Sequence, residues 1–151
     1  MLKSKASLIA REGMKSGNNC CQAVLLAASQ VWEIPLGDDM MAAASLFGGG
    51  MGSGCTCGAL AGIIMAAGIM DKYHPHPSGV KLAQQLHDLF KKEFGSTCCR
   101  VIRKKRSVIE NIGKKACIDL TGRTVEILIA EWEGILNAET GSGIDNNTNV
   151  K

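Results

Sequence analysis

The chain has 151 residues, 46 % of them apolar but only 4 % aromatic, and a formal net charge of +3. That length suits one domain and argues against a second independent core, and the charge is too small to imply a nucleic-acid partner by itself. The apolar residues are mostly Ala, Leu, Ile, Val and Met, which favours closely packed helices over a sheet sandwich. The expected fold is therefore all-α: a compact bundle of about six helices over residues 1–137, then a polar tail over 138–151.

From the start of the chain, Leu2 to Met14 carries Leu8, Ile9 and Met14 among basic residues and stops at Gly17, the pattern of a short amphipathic helix. Arg11 and Glu12 cut its apolar run short, so it does not read as a signal peptide; export is not expected and a cytoplasmic location is. Asn18 or Asn19 can cap a second helix, Cys20 to Trp32, which ends near Pro35. Asp38 and Asp39 suit the positive end of a third, with Met40 to Phe47 as its body.

A glycine cluster, Gly48 to Gly54, leads into Cys55-Thr56-Cys57 and the longest charge-free apolar block, Cys57 to Met70. That block is shorter than the roughly 20 residues a bilayer span needs, so it reads as a buried helix and no membrane is expected. Gly58, Gly62 and Ala66 recur every four residues, giving a smooth face for another helix, in this chain or in a second copy of a homo-oligomer. His74-Pro75-His76-Pro77 reads as an exposed connection, and its two histidines as ordinary surface groups. Ser78 caps a helix from Val80 to Phe94, with Leu82, Leu86, Leu89 and Phe90 inward, His87 partly buried and Gly95 at the end. Thr97 to Ile112 places Val101, Ile102, Val108, Ile109 and Ile112 at helical spacing, with Arg103 to Arg106 on the remaining surface, until Gly113 interrupts. A last helix is expected from about Lys115 to Leu136, and the polar stretch Gly141 to Asn149 is expected to be disordered.

Seven cysteines, an odd number in a chain without an export signal, do not read as a disulfide framework. They fall at four places: Cys20 with Cys21, Cys55 with Cys57, Cys98 with Cys99, and Cys117, each at or near the start of a predicted helix. The first amides of a helix and its dipole favour a thiolate there, and thiolate is the form that attacks disulfides and binds metals. Four sulfur sites match the ligand count of a tetrahedral metal or a small iron-sulfur cluster. No Cys-x-x-Cys occurs, and the absence of Cys-x-x-Cys-His excludes a c-type haem. The plainer reading is that free cysteines are small buried hydrophobes; their number and placement favour a functional thiol group.

Asn19-Cys20-x-Gln22-Ala23-Val24-Leu25, Phe47-Gly48-Gly49-Gly50-Met51-Gly52, Cys57-Gly58-Ala59-x-x-Gly62, Cys99-Arg100 and the later Cys117 resemble the redox-active family named C_GCAxxG_C_C. The resemblance covers Gly17 to Cys117 and implies a small helical redox protein. Carried over position by position, it implies Cys20, Cys57, Cys99 and Cys117 as the main set of thiols or metal ligands. Cys55 stays open as the alternative to Cys57, because the chain reads Cys57-Gly58-Ala59 where the family name has Gly-Cys-Ala.

Weaker signals complete the picture. The glycine loop lacks the Gly-Lys-Ser/Thr of a phosphate-binding loop, so close packing is the better reading. The basic run Arg100 to Arg106 reads as a solvated helix face, although Arg100, beside Cys99, is placed to stabilise a thiolate or a thiolate-ligated cluster. No Ser-His-Asp or paired-carboxylate arrangement supports hydrolysis. The leading expectation is an iron-sulfur cluster or other thiophilic metal on Cys20, Cys57, Cys99 and Cys117, with Gly54, Cys55, Gly58 and Arg100 as cofactor contacts, exchanging electrons with an unidentified redox partner. Metal-free thiol-disulfide exchange by the same cysteines is the enzymatic alternative, and a structural module with buried cysteines is the third.

Overall fold

A computed structural model describes residues 1–111 and 114–141. Among these the regular structure is helical: α1 (Leu2–Lys15), α2 (Cys20–Trp32), α3 (Asp38–Ala44), α4 (Gly58–Tyr73), α5 (Leu82–Phe94), α6 (Cys99–Lys104), α7 (Val108–Asn111) and α8 (Lys115–Gly141). The all-α expectation holds, and six of these helices have seven residues or more. The last helix continues past its expected end at Leu136 to Gly141, while residues 142–151 lie outside the described residues.

The core is built around α8, which packs against α1, α2, α4 and α5. Its Trp132 is fully buried, meets Trp32 edge to face at 5.4 Å, and donates its Nε1–H to the His74 carbonyl at 3.0 Å. Burial of a large aromatic side chain with its polar atom satisfied is among the most stabilising contributions one residue can make. Phe90 and Leu86 of α5, Ile63 and Met70 of α4, and Val24 and Leu25 of α2 complete this layer.

The face of small residues on α4 finds its partner within the chain. A Cβ on Gly62 would stand 2.9 Å from Val24 Cβ and 3.0 Å from the Cys21 carbonyl, and one on Gly58 would collide with Cys20 Sγ and, at 2.8 Å, with the Phe47 carbonyl. Helix α2 therefore lies directly on α4 because those positions carry no side chain. This contact sets how closely Cys20 approaches the start of α4.

Asn19 explains two element ends at once. Its side chain accepts from the Gln22 amide at 2.9 Å while the Gln22 side chain accepts from the Asn19 amide at 3.1 Å, a capping box that starts α2. Its Nδ2 donates to the carbonyls of Ala44 and Ser45 at 3.0 and 2.9 Å, satisfying backbone groups left open where α3 ends short of the expected Phe47. Asp38 and Asp39 occupy the first turn of α3, as their charge requires.

Several expected core positions are exposed. The stretch 97–112 is not one helix: α6 stops at Lys104, and a turn separates it from α7. The break resets the helical phase, leaving Val108 and Ile109 each 81 % exposed. Ile112 and Gly113 lie outside the described residues. On α1 the buried face is Ala6, Ser7, Ala10 and Gly13, and Leu8 faces solvent; close approach to α8 at Gly122 needs small residues there. Val80 is fully exposed in a short 3₁₀ turn before α5, Leu89 is only partly covered, and His87 is exposed beside Asp88. His76 departs in the other direction. Its side chain is only 6 % exposed, with Nε2 3.6 Å from a Glu131 carboxylate oxygen and its ring 5.0 Å from that of Trp132.

Candidate thiol site

Each cysteine place is at a helix start, as the sequence implies: Cys20 opens α2, Cys57 is the N-cap of α4, Cys98 and Cys99 are the N-cap and first residue of α6, and Cys117 lies in the first turn of α8. What brings them together is the loop after α3. It turns through left-handed backbone at Gly49, Gly50, Met51, Gly52 and Gly54, a path whose repeated positive φ angles favour glycine. A Cβ on Gly50 would meet the Cys55 amide at 2.6 Å and Cys99 Cβ at 2.8 Å, and one on Gly48 would meet Asn19 Cβ at 2.9 Å. The loop is thus packed against Asn19 and Cys99, in agreement with the close-packing expectation. An isolated antiparallel bridge, Thr56 with Cys98, then ties Cys57 to the start of α6. It is flanked by Cys57 N–H to the Thr97 carbonyl at 2.9 Å and by a bond from the Cys99 amide to the Cys55 carbonyl.

Cys20, Cys57, Cys99 and Cys117 line one cavity of about 470 Å³, together with Arg103 and Arg106. Asn19, Gly48 and Lys114 form other parts of its wall. Arg106 donates through Nη1 to Cys117 Sγ at 3.1 Å and through Nη2 to the Ala116 carbonyl at 3.4 Å. All seven cysteines are free thiols. Among the described residues no three His, Cys, Asp or Glu side chains stand close enough together to hold a single metal ion.

The other three cysteines sit elsewhere. Cys55 is exposed, Cys98 points its thiol at the Gly54 carbonyl at 3.3 Å, and Cys21 is buried with its sulfur 3.8 Å from Met65 Sδ. Between the two candidates for the central cysteine, Cys57 is the one on the cavity wall. Arg100 does not face Cys99: its Nη2 donates to the Ser53 carbonyl at 2.7 Å, and its side chain lies over Gly54. A residue one position along a helix points about 100° away, whereas residues three and four apart share a face. Arg103, four residues after Cys99, was legible in the sequence by that rule. Of the expected cofactor contacts, Gly58 touches Cys20, while Gly54, Cys55 and Arg100 belong to the outer side of the loop.

The ionisation of the thiols follows from these neighbours. Cys20 is lowered to about 7, first because the Cys57 thiol donates to it, with help from the amides at the starts of α2 and α4 against the cost of burial. Cys57 is pushed up correspondingly, since it holds the shared proton and is itself buried. Burial also raises Cys99, although the Arg103 and Arg106 guanidiniums pull it back. Burial and the neighbouring Cys20 push Cys21 up to about 12, which leaves it inert at neutral pH. Cys20 is the thiol set to react. Its alkylation rate is expected to rise with pH about a midpoint near 7, and in Cys57→Ala, which removes the donor, the midpoint should move up toward the ordinary thiol value of about 8.5. An unmoved midpoint would show that the Cys57 hydrogen bond does not set it.

The helical fold and the shared cavity define an all-α protein with four free cysteines on one cavity wall. The chain matches the family described as "Putative redox-active protein (C_GCAxxG_C_C)" over residues 18–130, and it belongs to that family. Searches of the curated proteins and of the solved structures gave no match. Among the described residues no helix is long and apolar enough to cross a membrane.

Proposed function

We propose that the protein holds an iron-sulfur cluster, or a comparable thiophilic metal group, on the thiolates of Cys20, Cys57, Cys99 and Cys117, and so carries electrons or senses redox state. One observation carries the reading: four cysteines from four separate elements line a single cavity, the number of sulfur ligands such a group takes. The cavity of about 470 Å³ suits a group bulkier than one ion, and the thiols are not gathered tightly enough for a lone metal ion. When bound, the group would supply reversible electron transfer at a potential set by its charge and surroundings.

The chain's own residues account for the rest. Arg103, Arg106 and Lys114 on the cavity wall offset the negative charge of four thiolates, and the Arg106 bond to Cys117 Sγ is the kind of contact that tunes sulfur ligands. Binding requires deprotonated thiols. Cys20 gives up its proton near neutrality, while Cys57 and Cys99 keep theirs until a metal displaces them. Loading therefore releases protons and improves as pH rises. A reducing compartment such as the cytoplasm would keep these thiols available.

The shared place of Cys20 and Cys57 on the cavity wall, with Cys20 lowered and Cys57 raised by their proximity, favours a second reading, thiol-disulfide exchange. The Cys20 thiolate attacks a partner's disulfide and releases one partner thiol; Cys57 then attacks the mixed disulfide and releases the other. The partner gains two electrons and two protons, and the protein keeps a Cys20–Cys57 disulfide. Iron and acid-labile sulfide assays with a visible spectrum, on protein purified without oxygen, separate the two. Stoichiometric iron and sulfide with charge-transfer absorbance supports the cluster. Metal-free protein that loses one disulfide's worth of free thiols on mild oxidation supports exchange and overturns the cluster.

A further inference from the structure

On the outer side of the cysteine cavity lies a shallow groove lined by Ser53, Gly54, Arg100, Arg103, Lys104, Arg106 and Val108. Four of these residues are cationic and none is acidic. In sequence, five of the chain's 17 basic residues fall within positions 100–106, and no carboxylate occurs between Glu93 and Glu110. Glu93 and Asp119 line a different hollow beside Lys105 and Arg106, and they bind Arg123 and Arg11. The groove thus gathers four cationic side chains in a molecule of net charge +3.

Two further features distinguish this face. Arg103 and Arg106 line both the groove and the cysteine cavity, so the two hollows share these side chains. An exposed aliphatic residue also accompanies the charges in the groove, Val108 at 81 % exposure, with Val101 and Ile109 exposed on the same two short helices. Cations interleaved with exposed aliphatics make an interface that is both steered and held.

We propose that the face formed by α6, α7 and the outer side of the glycine loop docks a redox partner protein through a carboxylate-rich surface on that partner. The inference rests on the redox reading of the cavity, because it supplies the route by which electrons reach or leave it. Nucleic acid fits less well, since the groove contains no aromatic side chain for bases to stack on. A lipid surface also fits less well, because α6 and α7 are only six and four residues long and offer no extended amphipathic helix.

The test is calorimetric binding of the full chain to an acidic ferredoxin, used as a probe of an acidic electron-carrier surface. At about 20 mM NaCl saturable binding is expected, weakened at least about tenfold by about 300 mM NaCl and by Lys104→Glu, less by Lys104→Gln, and left unchanged by Lys81→Glu, at the opposite end of α5 from Glu93 and Phe94. Lys104 is the exposed last residue of α6, and unchanged helical circular dichroism establishes that its variants fold. Three results would overturn the proposal: no saturable binding, equal weakening by Lys81→Glu, or tighter binding of anionic vesicles or duplex RNA at the same salt. Binding is read without electron transfer, so failure of the docking surface is distinguishable from failure of the redox reading, which the iron and sulfide assays report.

Discussion

Replacing Cys57 with serine is expected to remove most of the bound iron and sulfide, whereas replacing Cys55 with serine, two residues earlier, leaves them near the wild-type level. Cys57 stands on the cavity wall at the N-cap of α4, and Cys55 is exposed outside it. Serine preserves the size of the side chain but supplies a poor ligand for a soft metal. Loss of one of four ligands leaves an incomplete donor set, so a fall of at least about tenfold in metal affinity is expected, beyond what a neighbouring contact contributes. Equal metal content in both variants would remove Cys57 from the ligand set. Loss in both would mean that the bridge between 55–57 and 97–99, rather than the ligand itself, governs loading. The same variant discriminates under thiol exchange, because Cys57→Ser would trap the mixed disulfide on Cys20 and Cys55→Ser would not.

Gly62→Val is expected to destabilise the protein by about 3 kcal/mol, and Gly68→Ala on the same helix to be neutral or to stabilise it by up to about 1 kcal/mol. The two glycines differ only in what surrounds them. A Cβ at Gly62 meets Val24 Cβ and the Cys21 carbonyl within 3.0 Å, which α2 can relieve only by moving as a whole, whereas a Cβ at Gly68 meets nothing within 4 Å. For a chain of this size the Gly62 variant should lower the melting temperature by roughly 6–12 °C. Because α2 carries Cys20, its displacement should also return the alkylation midpoint of Cys20 toward that of an ordinary thiol. A thermal melt within about 1 °C of wild type would show that the α2–α4 contact yields more easily than protein cores usually do.

Individual residues show where sequence reasoning succeeds. The capping by Asn19, the acidic first turn of α3 and the buried helix after Cys57 are local features: each depends on residues within a turn or so, and the sequence displays all of them. Failures occur where a distant partner decides. Val108 and Ile109 continue the helical period of the preceding segment, yet they are exposed because the turn after Lys104 breaks the phase. His76 sits between two prolines in a connection that looks solvent-facing, and it is covered by Trp132 and Glu131 from a helix more than fifty residues away. Arg100 is next to Cys99 in sequence, yet on a helix adjacent residues diverge by about 100°, and Arg100 turns to Ser53 instead.

By itself the sequence determined that this is a helical protein with thiols at four helix starts, because helix propensity, capping and cysteine position are written residue by residue. The family resemblance already singles out Cys20, Cys57, Cys99 and Cys117; only the tertiary structure shows that these four line one cavity, that Cys55 lies outside it, and that Arg103 and Arg106 stand on its wall. Those placements depend on the closeness of α2 and α4 at Gly58 and Gly62, and on the left-handed loop that folds over Cys99. Such contacts join residues about 40 positions or more apart, and their outcome depends on which surfaces pack without collision, a property of the folded whole.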